Sequence, residues 1–221
     1  MAPAALHVRS FAPPPHAHAD ESGLDPGRSE FRMLRAKGRP DIRLALRPAR
    51  LSDGEALQSY VRGLSPQSRY DRFLGAVSEL PASELARALA ANGRDTLTLL
   101  LTSTAGTHET VVGEARVALS CVERAGEFSI SIAEGWRRLG VGSALLEEIE
   151  VKAAADGIDQ LFGDVLRTNE GMIALARGRG FHLGAGLEPR LVRIEKLLDA
   201  APDLPCRKWA EIAKGGELWT A

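Results

Sequence analysis

Ile130-Ser131-Ile132-Ala133-Glu134-Gly135-Trp136-Arg137-Arg138-Leu139-Gly140-Val141-Gly142-Ser143-Ala144-Leu145-Leu146 is the stretch on which the fold turns. It begins at the end of an alternating run, Glu127 to Ile132. That run sets Phe128, Ile130 and Ile132 on one face and Glu127, Ser129 and Ser131 on the other, the period of a half-buried strand. It ends in a helix predicted from Gly140 to Asp156, with Val141, Ala144, Leu145 and Ile149 on its apolar stripe and Gly157 as terminator. Between strand and helix, Gly140 and Gly142 let backbone approach a ligand unhindered by side chains. The first-turn N–H groups, from Leu139 through Val141 and Ser143 to Ala144, have no partner within the helix, and the helix dipole adds positive potential there. A diphosphate satisfies both. Arg137 and Arg138 add charge that compact phosphates attract. A helix start without a ligand would leave two arginines crowded against its positive end.

Three phosphate-binding patterns compete for this loop. A nucleoside-triphosphate loop ends in Gly-Lys-Ser/Thr, and no lysine stands between Gly142 and Ser143. A dinucleotide fingerprint needs a third glycine where Leu145 stands, and a tight strand-to-helix turn instead of the long link after Ile132. The third pattern, Arg/Gln-x-x-Gly-x-Gly/Ala after an antiparallel strand, is met by Arg137, Gly140 and Gly142.

Upstream, Ile42 to Leu46 alternate as a strand, and Ser52 with Glu55 reads as a capping box opening a helix. Ser65-Pro66 starts a second helix, with proline at its first position. Tyr70 and Phe73 on it are core residues or the lining of an acceptor groove. Pro81 or Ser83 starts a third helix, stopped by Asn92-Gly93. Two Val-, Leu- and Thr-rich runs, Thr96 to Thr102 and Thr110 to Val122, read as an antiparallel hairpin. Downstream, Leu161 to Leu166 is a strand, Asn169 caps a helix ending at Gly180, and Phe181 to Leu183 and Arg190 to Ile194 are the last strands. The order predicts an α/β fold, a mixed and mainly antiparallel sheet flanked by helices, without steady βαβ alternation. The Pro-, His- and Ala-rich residues 1–38 read as a disordered tail, 39–198 as the domain, and 199–221 as an extension.

From Glu127 to Phe181 the chain resembles the acyl-CoA-binding half of the GNAT superfamily of N-acyltransferases. The likeness rests on the strand, the Arg-x-x-Gly-x-Gly loop, the helix and the next strand. It continues in Asn169-Glu170-Gly171-Met172 and Gly180-Phe181. Leu64-Ser65-Pro66-Gln67-Ser68-Arg69-Tyr70-Asp71-Arg72-Phe73 is similar to a segment of bacterial Pat-type protein lysine acetyltransferases. The resemblance implies acetyl-CoA as cosubstrate and no metal. It implies cofactor contacts from Ile130, Ile132 and Ala133, from Arg137 to Ala144, and from Asn169 and Met172. Backbone N–H near Ile132 and Ala133 would face the thioester carbonyl. It further implies an amine acceptor, either a protein lysine or a small molecule. A non-catalytic acyl-CoA sensor is the rival, because residues 169–180 lack the tyrosine that many such enzymes use to protonate the leaving thiolate.

Amine acylation also needs a base. An ammonium of pKa about 10.4 is neutral in only about one molecule in 2,500 at pH 7. Glu127, which matches a glutamate proposed as general base in Pat-type enzymes, is the candidate. Against that stands an exposed strand-end carboxylate in a surface pair.

Composition narrows the partners. A net charge of −1 argues against nucleic acid as the main one. Nothing approaches a membrane span, and the chain shows no secretory signal, so a cytoplasmic protein, monomer or homodimer, is expected. Cys121 and Cys206 read as reduced thiols, and His7, His16 and His18 as a solvated tail and not metal ligands.

Overall fold

The computed structural model describes residues 32–36, 39–90, 96–105, 108–120 and 123–199. Eight strands form one sheet in the order β1-β2-β3-β4-β5-β6-β8-β7. They are β1 (Arg32–Ala36), β2 (Arg39–Pro48), β3 (Thr96–Ala105), β4 (His108–Ser120), β5 (Ala125–Ile132), β6 (Gln160–Leu166), β7 (His182–Ala185) and β8 (Leu191–Leu197). Every neighbouring pair is antiparallel except β5 and β6. The helices are α1 (Gly54–Gly63), α2 (Pro66–Phe73), α3 (Ala82–Leu89), α4 (Val141–Ala155) and α5 (Glu170–Gly178). This is the expected mixed, mainly antiparallel sheet.

Two cores lie on opposite faces of the sheet. On one, Leu145, Leu146, Ile149 and Ala153 of α4 and Ala176 of α5 pack on Leu99, Val117, Phe128, Leu161 and Ile194. On the other, Leu57, Tyr60 and Val61 of α1, Phe73 of α2 and Ala88 of α3 cover Leu100 and Val111. The alternation of strand side chains produces this split. Phe128 faces α4, whereas its neighbours Glu127 and Ser129 face the other way.

The parallel pair positions the site. β5 and β6 share only three register pairs, Ala125↔Gln160, Gly126↔Leu161 and Glu127↔Phe162. Beyond them β5 runs on to Ile132 and β6 to Leu166 without pairing, so the sheet is split there. Gly163 stands where the strands part, and a Cβ on it would lie 2.8 Å from the carbonyl oxygen of Phe128.

Three local readings change. α1 is not capped by Ser52. A short 3-10 turn, Leu51–Asp53, precedes it, and Asp53 accepts from the Arg50 N–H at 2.7 Å. Asp53 is also gripped by both terminal nitrogens of the buried Arg47, at 2.7 and 2.9 Å. That bidentate pair fixes the strand-to-helix corner more strongly than a serine hydroxyl would. Strand β5 begins at Ala125, inside the predicted link, because Ala125 and Gly126 pair with both β4 and β6. Strand β1 falls inside the stretch read as tail: five residues pairing with β2 are too short to show a period. The expected stop at Asn92-Gly93, the histidines of the tail, both cysteines and residues 200–221 lie outside the described residues.

Candidate functional site

A cleft of about 740 Å³ follows the split in the sheet. Its walls are β5 (Ile130, Ser131, Ile132), the β5–α4 loop with the start of α4 (Glu134 to Ser143), the start of α5 (Asn169, Gly171, Met172) and one face of α2 (Ser68, Asp71, Arg72).

The loop end is built for an anion. Gly140, the residue before α4, has φ 82°, and Arg138 has φ 60°. Two left-handed residues within three bend the chain so that consecutive N–H groups converge. Glycine accepts that conformation freely, whereas Arg138 holds it at a cost of roughly 1 kcal/mol. No side chain caps the helix start, and among the described residues the N–H groups of Val141, Gly142 and Ser143 have no protein acceptor, whereas the Ala144 N–H, expected to be open, donates to the Gly140 carbonyl at 3.2 Å. Arg138 is exposed and forms no ion pair among the described residues.

Arg137 is engaged differently. Its Nε donates to the Ile132 carbonyl at 3.0 Å and its Nη2 to Ser68 Oγ at 2.7 Å. Ser68 Oγ in turn donates to Glu134 Oε1 at 2.5 Å, and the Ser65 N–H donates to the same oxygen at 3.0 Å. Partial burial alone would raise the Glu134 carboxyl. The bonds from Ser68 and Ser65 outweigh it and hold the group at about 2. The β5–α4 loop is thereby tied to the N-terminus of α2.

Along β5, the direction of the backbone decides which amides open into the split. The Ala133 N–H donates to Val112 O of β4 at 2.9 Å. N–H direction alternates along a strand, so those of Ile130 and Ile132 point away from β4 and toward the opening. Of the two expected donors to a thioester, Ala133 is spent and Ile132 stands free on this count. Neither Ala133, Leu139, Val141 nor Ala144 contributes to the cleft lining, and the Val141 side chain is buried in the α4 core. Of these, only the backbone N–H groups of Leu139 and Val141 can serve a ligand, because those of Ala133 and Ala144 already donate to Val112 and Gly140. Asn169 caps α5, its Oδ1 accepting from the Met172 N–H at 3.0 Å, and both residues line the cleft.

Glu127 stands apart from the cleft wall, at the vertex of the split. It is exposed, on the sheet face shared with Phe162, Asp164 and Arg193. Partial desolvation raises its carboxyl above the usual value, the Asp164 charge raises it further, and Arg193 partly offsets both. Arg193 itself is bidentate to Asp164, at 3.0 and 2.8 Å.

Sequence reasoning passed over Ser68, Asp71, Arg72 and Glu134. A signal existed: positions 68, 71 and 72 share one face of a helix whose start was legible. What was missing was the partner across the cleft. Of the two aromatic residues on α2, Phe73 is core and Tyr70 is exposed, accepting from Arg190 Nη1 at 2.9 Å. Trp136 packs against the α4 core.

A split mixed sheet thus carries an uncapped helix start at its split. The model of the acetyltransferase (GNAT) family matches residues 68–181, just over half of the chain, and the chain belongs to that family. The acetyltransferase PA5475 of Pseudomonas aeruginosa is 26% identical over 136 residues, which are 62% of this chain and 73% of that protein. The GNAT domain of S. lividans PAT matches with a TM-score of 0.68 at 24% identity, over 76% of this chain and 97% of that one. Spermidine N-acetyltransferase from Vibrio cholerae, solved with CoA and spermine, matches at 0.57 and 13% identity, over 71% and 96%. These structural likenesses speak for the fold.

Proposed function

We propose that this acetyltransferase uses acetyl-CoA to acetylate a primary amine, with lysine side chains of proteins as the acceptor class. The linked phosphates of CoA would sit on the N–H groups between Leu139 and Ala144, with Arg138 as the free counter-charge. The pantetheine arm would run along β5, past Asn169 and Met172. The thioester carbonyl would meet the N–H of Ile132 or Ile130, donors fixed before the negative charge develops.

Glu127 takes the proton as the amine attacks. The C–N bond forms, the C–S bond breaks, and CoA leaves as thiolate. A thiol of pKa near 8.5 leaves with little help, which suits an α5 that carries no tyrosine. The observation that carries this reading is the position of Glu127, exposed at the last β5–β6 pair where the sheet splits, with its carboxyl raised by partial desolvation and by Asp164. A desolvated carboxylate is a stronger base than an ordinary one. An unroofed approach suits a side chain presented on another protein's surface.

The test is acetyl-CoA incubated with the protein and lysine-containing peptides, read by mass spectrometry for acetyllysine and by CoA release. Stoichiometric transfer, lost in Glu127→Gln with acetyl-CoA affinity retained, is the expected result. Tight acetyl-CoA binding with no transfer to any amine would instead make the chain a sensor.

A further inference from the structure

Beneath the acceptor end of the cleft lies a charged cluster that the acetyl-transfer scheme leaves idle. Glu114 of β4 is fully buried, opposite Ser131 in the β4–β5 register. Arg116 donates to it at 2.6 Å. Arg72 of α2 reaches it only with Nη2, at 3.3 and 3.4 Å, the outer limit of a hydrogen bond. The Arg72 side chain is 8% exposed, yet it lines the cleft. Its Nε, the Nε of Arg116 and the Thr98 hydroxyl are buried without hydrogen-bond partners among the described residues.

Two guanidinium groups thus share one buried carboxylate. Glu84, at 3.4 Å from Arg116, is also drawn to Arg87 at the surface. Arg116 thus has two carboxylates while Arg72 has only a distant share of one, and burial makes Arg72 a weaker holder of its proton. Buried cations left with orphan donors are costly. Nearby, Tyr60 and Ser131 satisfy each other at 2.9 Å, and Asp71, also on the cleft, is held by Gln67 at 2.7 Å. Neither forms an ion pair with Arg72 among the described residues. The missing partner is an oxygen anion entering from the cleft, and a planar guanidinium is matched by a carboxylate.

We propose that Arg72 is a carboxylate-binding residue of the substrate pocket, so that the enzyme prefers a substrate bearing a carboxylate near the reacting centre. The proposal rests on the cleft being the acyl-transfer cleft. The carboxylate has two possible sources: the far end of a dicarboxylic acyl chain on CoA, or the acceptor itself, with its amine drawn to the neighbouring Asp71.

Two arms distinguish them. Calorimetry without acceptor compares succinyl-CoA with butyryl-CoA, similar in length but uncharged at the end. Turnover with acetyl-CoA compares α-amino acids with their amides. At least one ratio is expected to favour the carboxylate by about tenfold or more, the worth of a charge-assisted pair. The ratio should fall toward one in Arg72→Lys, which keeps a charge beside Glu114 but loses the fork. An Arg72→Met variant, which leaves Glu114 paired with Arg116 at 2.6 Å, should behave alike. Affinity for CoA itself reports separately on the cleft. Ratios near one in both arms for the wild-type protein, with CoA bound normally, overturn this proposal alone. A protein that does not bind CoA overturns it together with the function it rests on.

Discussion

Gly140 shows how much of the site rests on one backbone angle. At φ 82° any Cβ is strained by about 1–2 kcal/mol. Gly140→Ala should therefore turn the converging N–H groups out of register and weaken CoA binding by roughly tenfold. The circular dichroism spectrum should stay unchanged. Glu127 makes a different prediction. Its carboxyl sits above the ordinary 4.5, and only the ionised form accepts a proton. kcat/KM should fall as pH drops through that raised value, and Glu127→Gln should remove this acidic limb while lowering kcat by about 10²–10⁴-fold. Gly140 stood out in the sequence from glycine spacing, and Glu127 only from its match to a glutamate of Pat-type enzymes. Arg137 was legible only as a charge. That it spends two donors on Ile132 and Ser68 depends on a helix 69 positions away in the chain, and no local pattern encodes such a contact.

Among elements, α2 is the one that the cleft holds in place. Its N-terminus is tied to Glu134 through Ser65 and Ser68, and its far end to Glu114 through Arg72. Glu134 is held at about 2 against an ordinary 4.5. A depressed carboxyl lends stability above about pH 4.5 and loses it as pH falls toward 2. A urea-melt series from pH 5 to 2 should show that loss in the wild-type protein and a smaller slope in Glu134→Gln. Glu114→Ala, which strands two buried guanidinium groups, should cost about 3–5 kcal/mol in the same assay. The helix starts at Ser65-Pro66 and Asn169 were readable because caps are local. The start of α1 was misread for the opposite reason: Asp53 answers to Arg47 on another element, and that ion pair outranks the Ser52 capping signal.

The whole molecule is a sheet with two cores and a tear. Leu145 anchors the α4 core and Leu57 the α1 core, both fully buried. Either one changed to alanine should lose about 2–5 kcal/mol in chemical denaturation. Among the described residues no helix is long and apolar enough to cross a membrane. Seven of the eight strands and the helix order followed from periodicity, whereas β1 fell in the stretch read as tail. Sheet order did not, because only pairing across the chain places β8 between β6 and β7 and ends the β5–β6 ladder after three pairs. Calorimetric titration of the full chain with CoA tests the proposed role of the tear and of the helix start beside it together. One CoA should bind per chain, with affinity falling at least tenfold in Gly140→Val. A flat titration, or equal affinity in the variant, would contradict the account at its root.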